Sequence, residues 1–191
     1  MSSTLTASFY LKNKQFSQAA TLLEKHVSEN PDDLGSLDLL GRAYFELHNF
    51  QDACDVFTKL HRLDRTNIEW THLLARCLFR LGNFKKAHAL ASYVVKHEGP
   101  TVDNLLTCGL AAQKSGLKEE AEANYRSIIK IDPMHADTLH NLATLIAAKK
   151  QFSEAIQLFE KSYKINPANK GALANAIYYA RSASAWIVER T

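Results

Sequence analysis

Long apolar runs are missing from this chain, which excludes a membrane-spanning helix, since such a helix needs about 18 or more consecutive apolar residues. Cysteine is scarce. Cys54, Cys77 and Cys108 form an odd set with no close-spaced pair, so neither a disulfide framework nor a zinc framework is encoded. They read as small apolar filler in a reducing compartment. Glycine is sparse too, and no glycine-rich loop follows a strand because no strand pattern exists. Neither sign of charge dominates: 23 basic and 20 acidic residues leave a net charge of +3. That mild balance predicts neither nucleic acid nor an anionic membrane as partner, because such binders gather cations on one face. The N-terminus "MSSTLTASFYLKNK" has no basic start and no uninterrupted apolar segment, so no secretory signal is predicted and a cytoplasmic location is expected. A mature exported form trimmed of its signal would read the same. The 8 histidines are scattered along the chain without the paired i, i+4 arrangement of a helical zinc site. No catalytic residue, metal or cofactor is predicted.

What the chain does contain is one sentence written five times. "QFSQAATLLEKHVSENP" from Gln15 returns as "NFQDACDVFTKLHRLDR" from Asn49 and "NFKKAHALASYVVKHEG" from Asn83. It returns again as "GLKEEAEANYRSIIKIDP" from Gly116 and "QFSEAIQLFEKSYKINP" from Gln151. Ala19, Ala53, Ala87, Ala121 and Ala155 recur every 34 residues without an insertion or deletion, and a small residue precedes each by 12: Ala7, Gly41, Ala75, Gly109 and Ala143. Phe16, Phe50, Phe84 and Phe152 sit three before the alanine; the fourth copy has Lys118 there, with Leu117 as a substitute one place earlier. Within a copy, Leu34, Leu37, Leu40, Ala43, Tyr44 and Leu47 have the spacing of one helical face, as do Ala53, Val56, Phe57, Leu60 and Leu63. Residues that tolerate a left-handed turn stand between the two faces. A hairpin of this size cannot bury both faces alone, so neighbours must stack.

This period and residue plan resembles the tetratricopeptide repeat (TPR) family. The resemblance covers Met1 to Asn169. It departs at Arg65 and Gly99, where the family carries its terminal proline (Pro31, Pro133 and Pro167 elsewhere), and at Ala91, where other copies carry Leu23, Phe57, Tyr125 and Phe159. It implies an all-α fold, a right-handed α-α superhelix of stacked antiparallel helix pairs. The expected organisation is one domain over 1–191, with repeats at about 1–33, 34–67, 68–101, 102–135 and 136–169 and a capping helix at 170–191. In that cap Leu173, Ala176, Ile177 and Ala180 follow the core spacing, and Trp186 is expected to fold back on the last repeat.

Stacked first helices would line a concave groove, so their outward positions are the candidate binding set. Leu39, Phe45, Leu73, Phe79, Leu106 and Leu110 place apolar side chains there, rimmed by Arg42, Arg76 and Arg80. That combination suits an extended segment or an amphipathic helix with hydrophobic anchors. Leu73→Asp is therefore expected to weaken binding with little change in stability. Asn141 and Asn175, one repeat apart, resemble two rungs of the asparagine ladder by which superhelical TPR proteins grip a peptide backbone. At the sites where the chaperone-binding subfamily holds two carboxylates stand Asp38, Arg42, Leu73, Asp103 and Thr107. Only Arg42 among them is basic, so that clamp is not expected. Asp38, Glu69, Asp103 and Asp137 recur along the same surface and oppose phosphate contact, against RNA.

The expected function is thus a non-catalytic module or scaffold binding a protein or peptide partner. Two alternatives stay open: a homo-oligomeric, self-assembling scaffold using Tyr178, Tyr179 and Trp186, or a secretion chaperone of TPR type.

Overall fold

The computed structural model describes residues 3–188, and the side chains of residues 3–182. All regular structure among them is helical: α1 (Ser3–Lys12), α2 (Phe16–Glu29), α3 (Leu34–Glu46), α4 (Phe50–Leu63), α5 (Ile68–Arg80), α6 (Phe84–Glu98), α7 (Val102–Lys114), α8 (Lys118–Ile131), α9 (Ala136–Ala148), α10 (Phe152–Ile165) and α11 (Lys170–Val188). None of the described helices is long and apolar enough to cross a membrane. The helices form two compact units, Met1–Gly99 and Pro100–Thr191. In the first, consecutive helices from α1 to α6 pack on one another and α3 also touches α1; in the second, the same sequential packing runs from α7 to α11. The all-α stacked-hairpin architecture expected from the period is therefore present.

The period is visible in the chain's hydrogen bonds as well as its core. Every first helix after α1 opens on a side-chain cap 34 residues from the last. Asp33 accepts from Gly35 N and Ser36 N, Asn67 from Trp70 N, Thr101 from Asn104 N, and His135 from Thr138 N. Asn169 Oδ1 accepts from Ala172 N at 3.2 Å in the same place before α11. These side chains satisfy N–H groups that a helix start leaves unpaired. Second helices use no such cap. Each is entered through a turn in which the sixth residue's N–H reaches back to the first residue's carbonyl: Gln15 to Tyr10, Asn49 to Tyr44, Asn83 to Leu78, Leu117 to Ala112 and Gln151 to Ile146. The turn requires a positive φ at its fifth residue. Gly82 and Gly116 supply it freely, whereas Lys14, His48 and Lys150 adopt it at φ 57°, 63° and 61°.

Two hairpins close on a glycine–ring pair, whereas the fifth sets the buried Phe159 at the position opposite Ala143. The five periodic alanines are fully buried, as are Ala7, Ala75 and Ala143. A Cβ placed on Gly41 would lie 2.8 Å from Phe57 Cζ, and one on Gly109 would lie 2.7 Å from Tyr125 Cε1. Where the second helix brings a full ring to these two crossings, the first helix gives up its side chain. Ala75 is matched instead with Ala91, and the bulk in that region comes from Trp70, Leu73, Leu74 and Leu90. Tyr125 is fully buried, and its hydroxyl is satisfied by Gln113 Oε1 at 2.7 Å.

Two sequence expectations fail locally. Leu117 does not replace the missing phenylalanine of the fourth copy: it is the residue before α8 and is 39% exposed. On α11 the buried residues are Ala172 and Ala176, while Leu173, Ile177 and Ala180 are exposed. These three stand at the positions of the buried Leu139, Ala143 and Ile146, and no further helix packs over them among the described residues. Trp186 lies on α11, but its side chain is outside the described ones.

The size pairing generates a double-mutant cycle. Gly41→Ala should cost about 1–3 kcal/mol by overpacking against Phe57. Phe57→Leu, which recreates the Ala7–Leu23 pair of the first hairpin, should recover part of that loss. Chemical denaturation of the four proteins should therefore give a coupling of about 1 kcal/mol or more. A second expectation concerns acid. His140 packs its ring edge-on to Phe159 at 5.3 Å, its Nδ1 has no hydrogen-bond partner among the described residues, and burial holds its pKa below 6.5 despite the opposing charge of Asp137. Burial and the charge of Arg65 lower His61 in the same way. Since both bind a proton more readily when unfolded, stability should fall as pH drops below about 6.5. His140→Leu should make thermal melting less sensitive to pH between neutrality and pH 5.

Candidate functional site

The candidate groove residues fall into two groups, one in each unit. In the first unit, α5 reaches back to α3 through a row of polar and aromatic links. Trp70 Nε1 donates to Asp38 Oδ1 at 3.1 Å. Arg42 donates through Nε to Asp38 Oδ2 at 2.9 Å and through its terminal nitrogen to Glu69 Oε1 at 2.6 Å. One turn further, the Arg76 guanidinium carbon lies 4.8 Å from the Phe45 ring centre, and that of Arg80 lies 4.2 Å from Phe50. Phe45 and Phe79 in turn meet Phe50 and Phe84 edge-on, each pair at 5.4 Å.

This geometry reassigns several residues. Arg42 is engaged by two carboxylates, which raise its already high pKa against the cost of desolvation; it braces α3 to α5 rather than standing free on a rim. Leu73 is 8% exposed and belongs to the core with Trp70, Leu74 and Cys77. The expectation that Leu73→Asp would spare stability is therefore corrected, because a carboxylate there would be buried in an apolar cluster. Leu39, Phe45, Arg76 and Phe79 remain half-buried and Arg80 is exposed. What they present is a cation-over-aromatic surface and not an open apolar strip. The i, i+4 spacing of Asp38 and Arg42 was the sequence signal for the brace. The reach of Trp70 and Glu69 across 32 and 27 positions had no local signal.

In the second unit, Leu106 and Leu110 on α7, Asn141 on α9 and Asn175 on α11 are all half-buried. Thr107, by contrast, is buried. Of Tyr178, Tyr179 and Trp186, read as a self-association surface, Tyr178 stands out from the fold at 63% exposure, and the side chain of Trp186 is outside the described ones. Tyr179 lies parallel to Phe159 (5.9 Å, 2°) and stacks on Phe152 (5.8 Å, 20°), so it seals α11 to α10.

An open hollow of about 510 Å³ in the first unit is lined by Thr6, Tyr10, Ser17, Gln18, Thr21, Leu22 and Lys25. It contains none of the candidate groove residues. The three thiols are buried and none is in a disulfide; desolvation pushes Cys77 up to about 12 and raises Cys54 too, which keeps both protonated and inert. No cluster of three or more metal-ligating side chains occurs among the described residues.

Known proteins give this architecture its place. A family model described as anaphase-promoting complex, cyclosome, subunit 3 matches residues 2–60 and 56–128, and a tetratricopeptide repeat model matches residues 106–170. A tetratricopeptide repeat protein 30 homolog from Caenorhabditis briggsae is 25% identical over 182 residues, which is 93% of this chain and 27% of that protein. The chain thus spans about a quarter of that relative's length. Among solved structures, YrrB, a TPR protein with an unusual peptide-binding site, superposes with a TM-score of 0.76 at 21% identity, covering 88% of this chain and 87% of YrrB. MamA from Desulfovibrio magneticus RS-1 superposes with a TM-score of 0.79 at 17% identity, covering 88% of this chain and 98% of the MamA chain. At these identities the solved structures speak to the fold, and the fold they share is the TPR solenoid. Capped first helices, six-residue return turns and crossings built on a small residue at a constant period, together with two repeat-family models that account for residues 2–170, place this chain in the tetratricopeptide repeat family.

Proposed function

We propose that this chain is a non-catalytic protein-interaction module that holds a peptide or helix of a partner against the outward positions of its first helices. The observation that carries the reading is the pair Arg76–Phe45 and Arg80–Phe50. Two guanidinium groups one helical turn apart rest on rings, half-buried and exposed respectively, with neither drawn into the Asp38–Arg42–Glu69 brace beside them. Such groups combine apolar contact area with directional donors, the chemistry by which a few anchors dominate recognition of a peptide. Leu39 and Phe79 extend the apolar part of that surface. Asn141 and Asn175 offer the second unit both a donor and an acceptor for peptide backbone. The fold shared with YrrB, a TPR protein with an unusual peptide-binding site, supports the reading at the level of architecture. The protonated thiols of Cys54 and Cys77 support a non-catalytic role.

The test is selection of a displayed peptide library on the chain, followed by affinity measurement of the enriched peptides against three variants. Arg76→Gln/Arg80→Gln, or Asn141→Ala/Asn175→Ala, should each weaken binding by about tenfold or more with melting temperature nearly unchanged. Leu73→Asp should instead lower stability by about 3 kcal/mol or more. Enriched peptides that bind both double variants as tightly as the parent would end the assignment.

A further inference from the structure

The second helices occupy equivalent places in their hairpins, so their outward faces can be compared residue by residue. In the first turn α4 carries Asp52, α8 carries Glu119 and Glu120, and α10 carries Glu154. A carboxylate there meets the positive end of the helix and is favoured by it. Helix α6 carries Lys85 and Lys86 in the same turn and no acid. Two adjacent cations oppose the helix dipole, and core packing does not require them, because both are exposed. No ion pair to Lys85, Lys86 or Lys96 occurs among the described residues. A local rule broken without a compensating contact in the fold marks a place where something besides folding sets the residues.

The rest of that face continues the pattern. Exposed Ala89 and Tyr93 follow Lys85 at helical spacing, and exposed Lys96 and His97 close the face in the last turn. Tyr93 stacks on the His97 ring at 3.9 Å (28°), and His97 Nδ1 donates to the Tyr93 carbonyl at 2.8 Å. This aromatic plate is held in place before any partner arrives, which lowers the entropy lost on contact. Lys85 and Lys96 stand eleven positions apart, a distance a helix spans in about 16 Å. The face thus has cations at both ends and a small and an aromatic residue between. Its width is limited: the Cys54 thiol senses the charges of both Asp55 and Lys86, which sets a carboxylate of α4 beside it. A broad anionic surface laid on α6 would meet Asp52 and Asp55, both exposed, whereas one helix lying along α6 would not. We propose that the outer face of α6 is a second docking surface, which receives an acidic helix of a partner protein with carboxylates near both ends and small or apolar residues between. Opposite charge selects the partner, and the Ala89–Tyr93 centre supplies apolar contact. The face lies on a second helix, apart from the arginine–aromatic pairs of the first helices, so either reading can fail alone.

The probe is a labelled helical peptide of glutamate, alanine and leucine, with a glutamate pair near each end and alanine and leucine between. Fluorescence anisotropy at low salt should show saturable binding to the full chain that weakens as salt rises. Lys85→Glu/Lys86→Glu should weaken it by about tenfold or more, and Tyr93→Ala by about threefold or more. The lysine variant should melt at or above the temperature of the parent, since it returns acids to the first turn of α6. Gathering the glutamates at the middle of the peptide should cost about as much affinity as the lysine variant does, and Arg76→Gln/Arg80→Gln should cost none. The proposal is overturned if the probe does not saturate, if the peptide with glutamine for every glutamate binds as well, or if the lysine variant leaves affinity unchanged. It is equally overturned if Arg76→Gln/Arg80→Gln abolishes binding, which would give the peptide to the first-helix surface. Tighter binding of phosphatidylserine vesicles or of an RNA oligonucleotide that depends on Lys85 and Lys86 would also overturn it, by giving the face to a phosphate surface.

Discussion

The contact between a side chain too small to project and a ring too large to sit elsewhere governs this molecule. At Gly41–Phe57 and Gly109–Tyr125 the ring lies where a Cβ would be, within 2.8 and 2.7 Å. Two helix backbones that approach this closely fix the angle at which the hairpin closes, and that angle decides which residues of the first helix are left facing outward. The proposed binding surface is in this sense a by-product of packing on the other side of the same helix. A first helix that rotated by one residue to accommodate a larger side chain would carry its arginines and asparagines with it.

The backbone devices at either end of each helix pair keep that geometry in phase. Side-chain caps hold the entrance of the first helix, and the six-residue return turn holds the exit. The turn does not demand glycine: Lys14, His48 and Lys150 accept the left-handed conformation. Stacking therefore outweighs a local cost of about 1–2 kcal/mol for a residue of this kind. The polar brace Asp38–Arg42–Glu69–Trp70 adds a second, lateral constraint between neighbouring first helices in the first unit. It uses charges that a reading of outward positions alone assigns to recognition.

Much of the fold was legible because the repeat states each rule several times. The phase of the alanines locates the core, and the small residues twelve positions earlier locate the helix crossings. For the candidate site the sequence marks a helix face; the fate of individual side chains on that face was not legible. Leu73 is drawn into the core beside Trp70, Leu74 and Cys77, in a cluster that also takes Phe57 and Leu60 from the preceding helix. Arg42 is drawn into a brace because its second partner, Glu69, comes from the next hairpin. Tyr179 is drawn onto Phe152 and Phe159. In each case the deciding partner lies outside the helix being read. On α11 the register holds but the burial does not follow: a periodic apolar pattern locates the face that would be buried, and says nothing about whether a covering element exists.

The chemically varied yet positionally invariant caps have a further implication for how such a chain can change length. Asp33, Asn67, Thr101, His135 and Asn169 perform one task at one spacing, so the junction before each first helix is interchangeable with the next. Excising one whole period between two such junctions joins ends of matching geometry, whereas deleting a few residues anywhere inside a period leaves every later hairpin out of step. Growth and trimming by complete modules are the changes that this backbone tolerates.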